Sequence, residues 1–125
     1  MVSQIFINLP VSNLEKTKEF FAKLGFTFNP QFSDDKATCM IMGENIFCML
    51  LVKDYFKTFT KKEIADTSKY VEVHNAIPLE SKEAVDKMYQ TAIDAGATPL
   101  MGVKDYGFMY QNGFQDLDGH AWEIF

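Results

Sequence analysis

This chain lacks the features that would send it to a membrane, a secretory route or a nucleic acid. No apolar run is long enough to span a bilayer, and Met1-Val-Ser-Gln-Ile-Phe6 has no basic region, long apolar stretch and small-residue cleavage site. A cytoplasmic location with no membrane partner is the expectation. The formal net charge of −5, the pI near 4.9 and the lack of any Lys/Arg run interleaved with aromatics argue against nucleic acid. There are only two cysteines. Cys39 and Cys48 sit in neighbouring apolar segments without CxxC spacing, so they are expected as small buried hydrophobes in a reducing compartment, with no disulfide or ordinary zinc site. Histidine is equally scarce, and His74 has no second histidine near it in sequence. With no Gly-rich phosphate loop and no GxSxG motif, nucleotide-enzyme and hydrolase chemistries fall away.

What is present is enough for one ordinary globular domain: 125 residues, 47% hydrophobic and 23% charged. Phenylalanine and methionine are plentiful, at 12 and 7 residues. Such side chains fill ordinary cores and can also line an adaptable apolar cavity. From Gln4 to Val11 the pattern alternates, with Ile5, Ile7, Leu9 and Val11 on one face and Gln4, Phe6, Asn8 and Pro10 on the other. Ser12-Asn-Leu-Glu15 has capping-box spacing ahead of a helix carrying Leu14, Thr17, Phe20, Phe21 and Leu24, which Gly25 stops. Strands are expected near 26–28 and 37–42, then from Ile46 to Val52, where a continuous apolar run suits a strand covered on both faces. Residues 54–69 mix lysines with Tyr55, Phe56 and Phe59, forming a connector, a lid or a dimer contact. Thr60-Lys-Lys-Glu63 has the spacing to cap a short helix.

The second half repeats the first. Val71, Val73, Asn75 and Ile77 alternate with Glu72, His74, Ala76 and Pro78. Ser81 then caps a helix with a stripe of Val85, Met88, Tyr89, Ala92 and Ile93 ending at Gly96, and strands are expected near 98–101, 108–114 and at the C-terminus. Both halves therefore follow the order β-α-β-β-β, which predicts an α+β fold: two modules, about 1–53 and 70–125, forming a curved mixed sheet around a cleft within a single domain. Helices would cover the strongly apolar faces. That leaves Gln4, Phe6, Asn8, Glu72 and His74 as cleft-lining candidates, with Cys48 as a further one.

The chain closes on Gln115-Asp-Leu-Asp-Gly-His-Ala-Trp-Glu-Ile-Phe125. Asp118-Gly119 is a two-residue hairpin signal of the type I′ kind, and the strand after it alternates His120, Trp122 and Ile124 against Ala121, Glu123 and Phe125. Glu123 thus sits between apolar neighbours, where a carboxylate needs a partner, a function or access to water. His120, of opposite parity, is expected as an exposed turn residue.

Three stretches make the chain resemble the vicinal oxygen chelate superfamily, which holds glyoxalase I, extradiol dioxygenases, fosfomycin-modifying enzymes and metal-free bleomycin-binding proteins. They are Phe6-Ile-Asn-Leu-Pro-Val-Ser-Asn-Leu14 with Phe20-Phe-Ala-Lys-Leu-Gly-Phe26, Ala92-Ile-Asp-Ala-Gly-Ala97, and Phe114-Gln-Asp-Leu-Asp-Gly-His-Ala-Trp-Glu123. The resemblance implies a glyoxalase-like fold and, by position, a divalent metal held by His74 and Glu123, the same pair serving as catalytic residues on a vicinal-oxygen or carbonyl compound. It also implies departures: Phe6 falls where His or Gln is usual, and Cys48 with Met49 replaces a carboxylate. Glu72 or Cys48 would be the third ligand. Without metal, His74 and Glu123 are expected to serve as an acid–base pair or a structural hydrogen bond. The alternative function is a metal-free small-molecule binder, with the net negative charge favouring a cationic aromatic ligand. Members of the superfamily commonly pair as twofold dimers, and a homodimer is expected, with Tyr55 to Phe59 or the edge strands in contact.

Overall fold

The computed structural model describes residues 1–125, which fold as two compact units, Met1–Ala65 and Asp66–Phe125. The first unit runs β1 (Ile5–Val11), α1 (Leu14–Lys23), β2 (Thr27–Asn29), β3 (Ala37–Gly43), β4 (Ile46–Val52) and the short α2 (Lys53–Phe56). Single 3-10 turns occupy Pro30–Phe32 and Lys57–Phe59. Its sheet order is β1-β4-β3-β2, with β1 parallel to β4 and the other pairs antiparallel. Because α1 carries the chain across the sheet, β1 ends beside the last strand of its module rather than the next one.

The second unit runs β5 (His74–Ile77), α3 (Lys82–Asp94), β6 (Thr98–Pro99), β7 (Lys104–Asp105), β8 (Tyr110–Gln115) and β9 (Ala121–Ile124). Its order, β5-β9-β8-β6 with β7 on β8, repeats the arrangement, and β5 is parallel to β9. The duplicated β-α-β-β-β modules of an α+β glyoxalase-like fold are thus present. No helix is long and apolar enough to cross a membrane.

Each helix exists to cover one sheet face. α1 lies against β3 and β4, and Phe20, Phe21, Met40, Cys48 and Leu50 are wholly or almost wholly buried there. Phe20 and Phe21 meet edge to face at 4.9 Å. Burying each such side chain contributes about 1.5–3 kcal/mol, which outweighs the modest helix propensity of the Phe pair. In the second unit α3 packs on β8 and buries Val85 and Ala92 near Phe114, Trp122 and Ile124. Both cysteines are free and buried, and burial pushes the Cys39 thiol up.

Four local expectations are corrected. The α1 cap is Asn13, not Ser12: Asn13 is extended and its Oδ1 accepts from Lys16 N at 3.0 Å, so Glu15 lies one position too early to complete a box. Replacing Asn13 with alanine will lower stability by about 1 kcal/mol in urea titration, and Asn13→Ser will recover most of it. No helix follows Thr60, whose backbone is extended and whose hydroxyl accepts from Lys62 N at 3.1 Å, a local turn bond that competes with helix. Helical turns precede it instead, at Lys53–Phe56 and Lys57–Phe59. The strand expected from Val71 begins only at His74, because its partner β9 offers four residues and the chain before Ala121 has already turned away. Finally, the last hairpin is no two-residue type I′ turn. Gly119 alone has positive φ, +84°, and its N–H closes a turn onto Asp116 O at 3.0 Å.

Candidate functional site

Parallel pairing of β5 with β9 sets His74 beside Ala121 and Ala76 beside Glu123. Side chains at alternate positions share a face, so His74 and Glu123 stand on one face, a single pair apart along the strands. They meet there. His74 Nδ1 and Glu123 Oε1 are 2.7 Å apart, a short charge-assisted hydrogen bond in which the ring N–H donates to the carboxylate. Small residues surround the pair: Ala76 and Ala121 on its own strands, and Gly113 opposite Glu123 on β8. With side chains 36% and 23% exposed, the pair is screened by water and contributes on the order of 1 kcal/mol or less to stability. Its value lies in fixing the ring, because Nδ1 committed to Glu123 leaves Nε2 as the nitrogen that meets a ligand.

His74 also lines a cavity of ≈ 170 Å³ within the second unit, together with Lys69, Tyr70, Leu100 and Gln115; Glu123 does not. The carboxylate therefore stands behind the imidazole. On the opposite sheet face Asn75, Trp122 and Ile124 are buried.

The remaining candidates are distributed differently. Phe6, 46% exposed, stacks on Phe47 at 4.7 Å and 16°, and Asn8 shares its face and donates from Nδ2 to Phe6 O at 3.3 Å. Cys48 does not line that face: it pairs with Ile7 in β1 and is fully buried on the α1 side. The apolar run of β4 carried no alternation from which to read this. Glu72 lies outside β5, on the exposed segment before it, so the strand parity expected to hold it beside His74 is absent.

A divalent metal, which the fold family implies, needs three or more protein donors or two with a well-built remainder. His74 and Glu123 are bonded to each other, and no group of three or more His, Cys, Asp and Glu side chains in the chain could hold an ion. The residues do not fit such a group.

One organising residue escaped the sequence pattern. Asp116, 6% exposed, accepts from Trp122 Nε1 at 2.9 Å, from Asp118 N at 2.9 Å and from His120 N at 3.0 Å. Burial pushes its carboxyl up; the charge of His120 and these three N–H groups pull against that. His120 is half-buried at this loop rather than exposed. An aspartate at the start of a Gly-containing hairpin loop, two before Asp118, was the available signal.

Residues 4–43 match the family model for the bleomycin resistance protein-like N-terminal domain. No curated protein matches the chain. Among solved structures, a hypothetical protein from S. aureus is 25% identical with a TM-score of 0.84, over 99% of this chain and 93% of that one. A glyoxalase-related enzyme from Fulvimarina pelagi has 17% identity and a TM-score of 0.81, covering 98% and 87%. A glyoxalase/bleomycin resistance protein/dioxygenase family enzyme from Burkholderia phytofirmans has 17% identity and a TM-score of 0.79, covering 95% and 94%. With the doubled module and this whole-chain likeness together, the chain has the glyoxalase-like fold, and its residues 4–43 are similar to the bleomycin resistance protein-like N-terminal domain.

Proposed function

We propose that this chain is a metal-independent small-molecule-binding protein of its superfamily, anchoring its ligand through His74. The single observation behind this reading is the 2.7 Å His74–Glu123 bond, with no third His, Cys, Asp or Glu grouped with it. A cation would have to break that bond and then be held by two monodentate ligands, which is weak ligation for a hard or borderline metal. Phe6, which falls where the resemblance expects a ligand, has no ligating atom and stacks on Phe47 in its own unit. The same bond supports a second reading, acid–base chemistry at His74 Nε2, since an oriented imidazole is the usual proton-transfer group.

The test uses protein purified without a polyhistidine tag. Manganese, ferrous iron, nickel and zinc will shift the melting temperature of wild type no more than that of His74→Ala, whereas small aromatic ligands will stabilise wild type preferentially. A metal that raises wild type by several degrees and leaves His74→Ala unmoved sinks the proposal.

A further inference from the structure

The cavity beside His74 is basic in a chain that is acidic. Of the residues lining it, Lys69 and His74 are the basic groups, and no Asp or Glu is among them, although the chain has 17 acidic residues against 12 basic ones. Of the carboxylates bordering it, Glu123 accepts from His74, and Asp66 Oδ1 accepts from Ser68 N and Oγ. Other polar groups of the lining are spent as well. Thr67 Oγ1 donates to Asp118 O, and Gln115 Nε2 donates to Pro99 O at 3.3 Å. Lys69 forms no ion pair, which leaves its ammonium available to a ligand beside His74. The rest of the wall is apolar or aromatic, from Tyr70, Val71, Leu100 and Ala121.

Size narrows the class further. A volume of ≈ 170 Å³ is close to that of a cavity of about 150 Å³ that holds benzene, so the depression seats one ring, with its Tyr70 and Val71 side open to solvent. Net charge argues for a cation, but charges beyond a Debye length of about 8 Å are screened at physiological salt, and the lining decides. Resting on the metal-independent binding reading, we propose that this cavity takes a monocyclic aromatic carboxylate, its ring against Tyr70, Val71 and Leu100 and its carboxylate on the Lys69 ammonium and on His74 Nε2–H, the imidazole taking up a proton as the anion binds so that Nδ1 keeps donating to Glu123. Because the chain contains no arginine, a bidentate guanidinium fork is unavailable and the anion must be held by point donors.

Amide NMR titrations with benzoate, benzyl alcohol and benzylamine test the assignment on wild type, Lys69→Met and His74→Gln. Benzoate will shift the amides of residues 67–71 and 115–121 and bind more tightly than benzyl alcohol. Lys69→Met, which keeps the apolar stem, will weaken benzoate about tenfold, the worth of one charge-assisted hydrogen bond, and leave benzyl alcohol unchanged. Benzylamine binding as tightly as benzoate, an unaltered benzoate affinity in Lys69→Met, or no shift at these amides would each overturn the ring-acid assignment. His74-dependent benzylamine binding would do so while leaving metal-independent binding intact; a wild-type-specific metal shift would instead remove the reading beneath both.

Discussion

Asp116→Ala will destabilise the protein by about 3 kcal/mol, seen as a fall in melting temperature of roughly 10 °C for a chain of this size. The reason is the set of donors it leaves behind. Trp122 is fully buried, and without the Asp116 carboxylate its indole N–H has lost its acceptor in a dry site, which alone costs about 1–3 kcal/mol. The N–H groups of Asp118 and His120 lose the same partner, though loop position lets water replace part of the bond. Asp116→Asn will fall between, because one amide oxygen can serve the backbone donors while the NH₂ group then confronts the indole N–H. The pH dependence has a definite sign. Burial raises the native carboxyl above its unfolded value, so the folded state binds the proton more tightly and stability declines as pH rises from the ordinary aspartate range to the raised native one. Urea titrations of wild type against Asp116→Asn will show the wild-type advantage shrinking across that window. An advantage that grows with pH would mean that the three N–H bonds outweigh burial.

Gly119→Ala will cost about 2–3 kcal/mol, well above Gly25→Ala at about 1 kcal/mol. Both glycines have positive φ, +84° and +101°, so both substitutions bear the left-handed backbone penalty. Around Gly25 a new methyl meets nothing within 4 Å, whereas at Gly119 it would lie 2.9 Å from Thr67 O and 3.1 Å from Thr67 Oγ1. A backbone carbonyl cannot swing aside as a side-chain tip can. Thr67, which also donates to Asp118 O, must move, and with it the Thr67–Val71 wall of the His74 cavity. Thermal melts of the two variants decide: equal losses would show that Thr67 yields freely and the close approach carries no energy.

The reading of His74 and Glu123 as a pair came from the resemblance, and the β5–β9 register joins them because both strands alternate faithfully at those positions. The fold was legible for the same reason. Alternation, helix stripes and Gly stops are local, short-period signals that each element must obey to bury one face. Even so, alternation did not set the extent of burial: Ile5 keeps the parity of Leu9 and Val11 but stands at the open start of β1, beside Ile46, and both are exposed.

By itself, the sequence determined the two β-α-β-β-β modules and the helix stripes, since each rests on residue order over a few turns; the pair His74 and Glu123, 49 residues apart, came from the resemblance. Only the tertiary structure decided the rest. Cys48 took the α1 face because its partner in β1 is Ile7, a register that an unbroken apolar run cannot encode. Val71 to Val73 stayed outside the sheet because β9 is too short to pair them. Asp116 became the buried anchor of Trp122, and Lys69 and Tyr70 became cavity walls, through contacts between segments distant in the chain or folded back on a loop. No period in the sequence records such contacts; they exist only once the ladder and the Asp116–Gly119 turn have fixed which loop meets which strand.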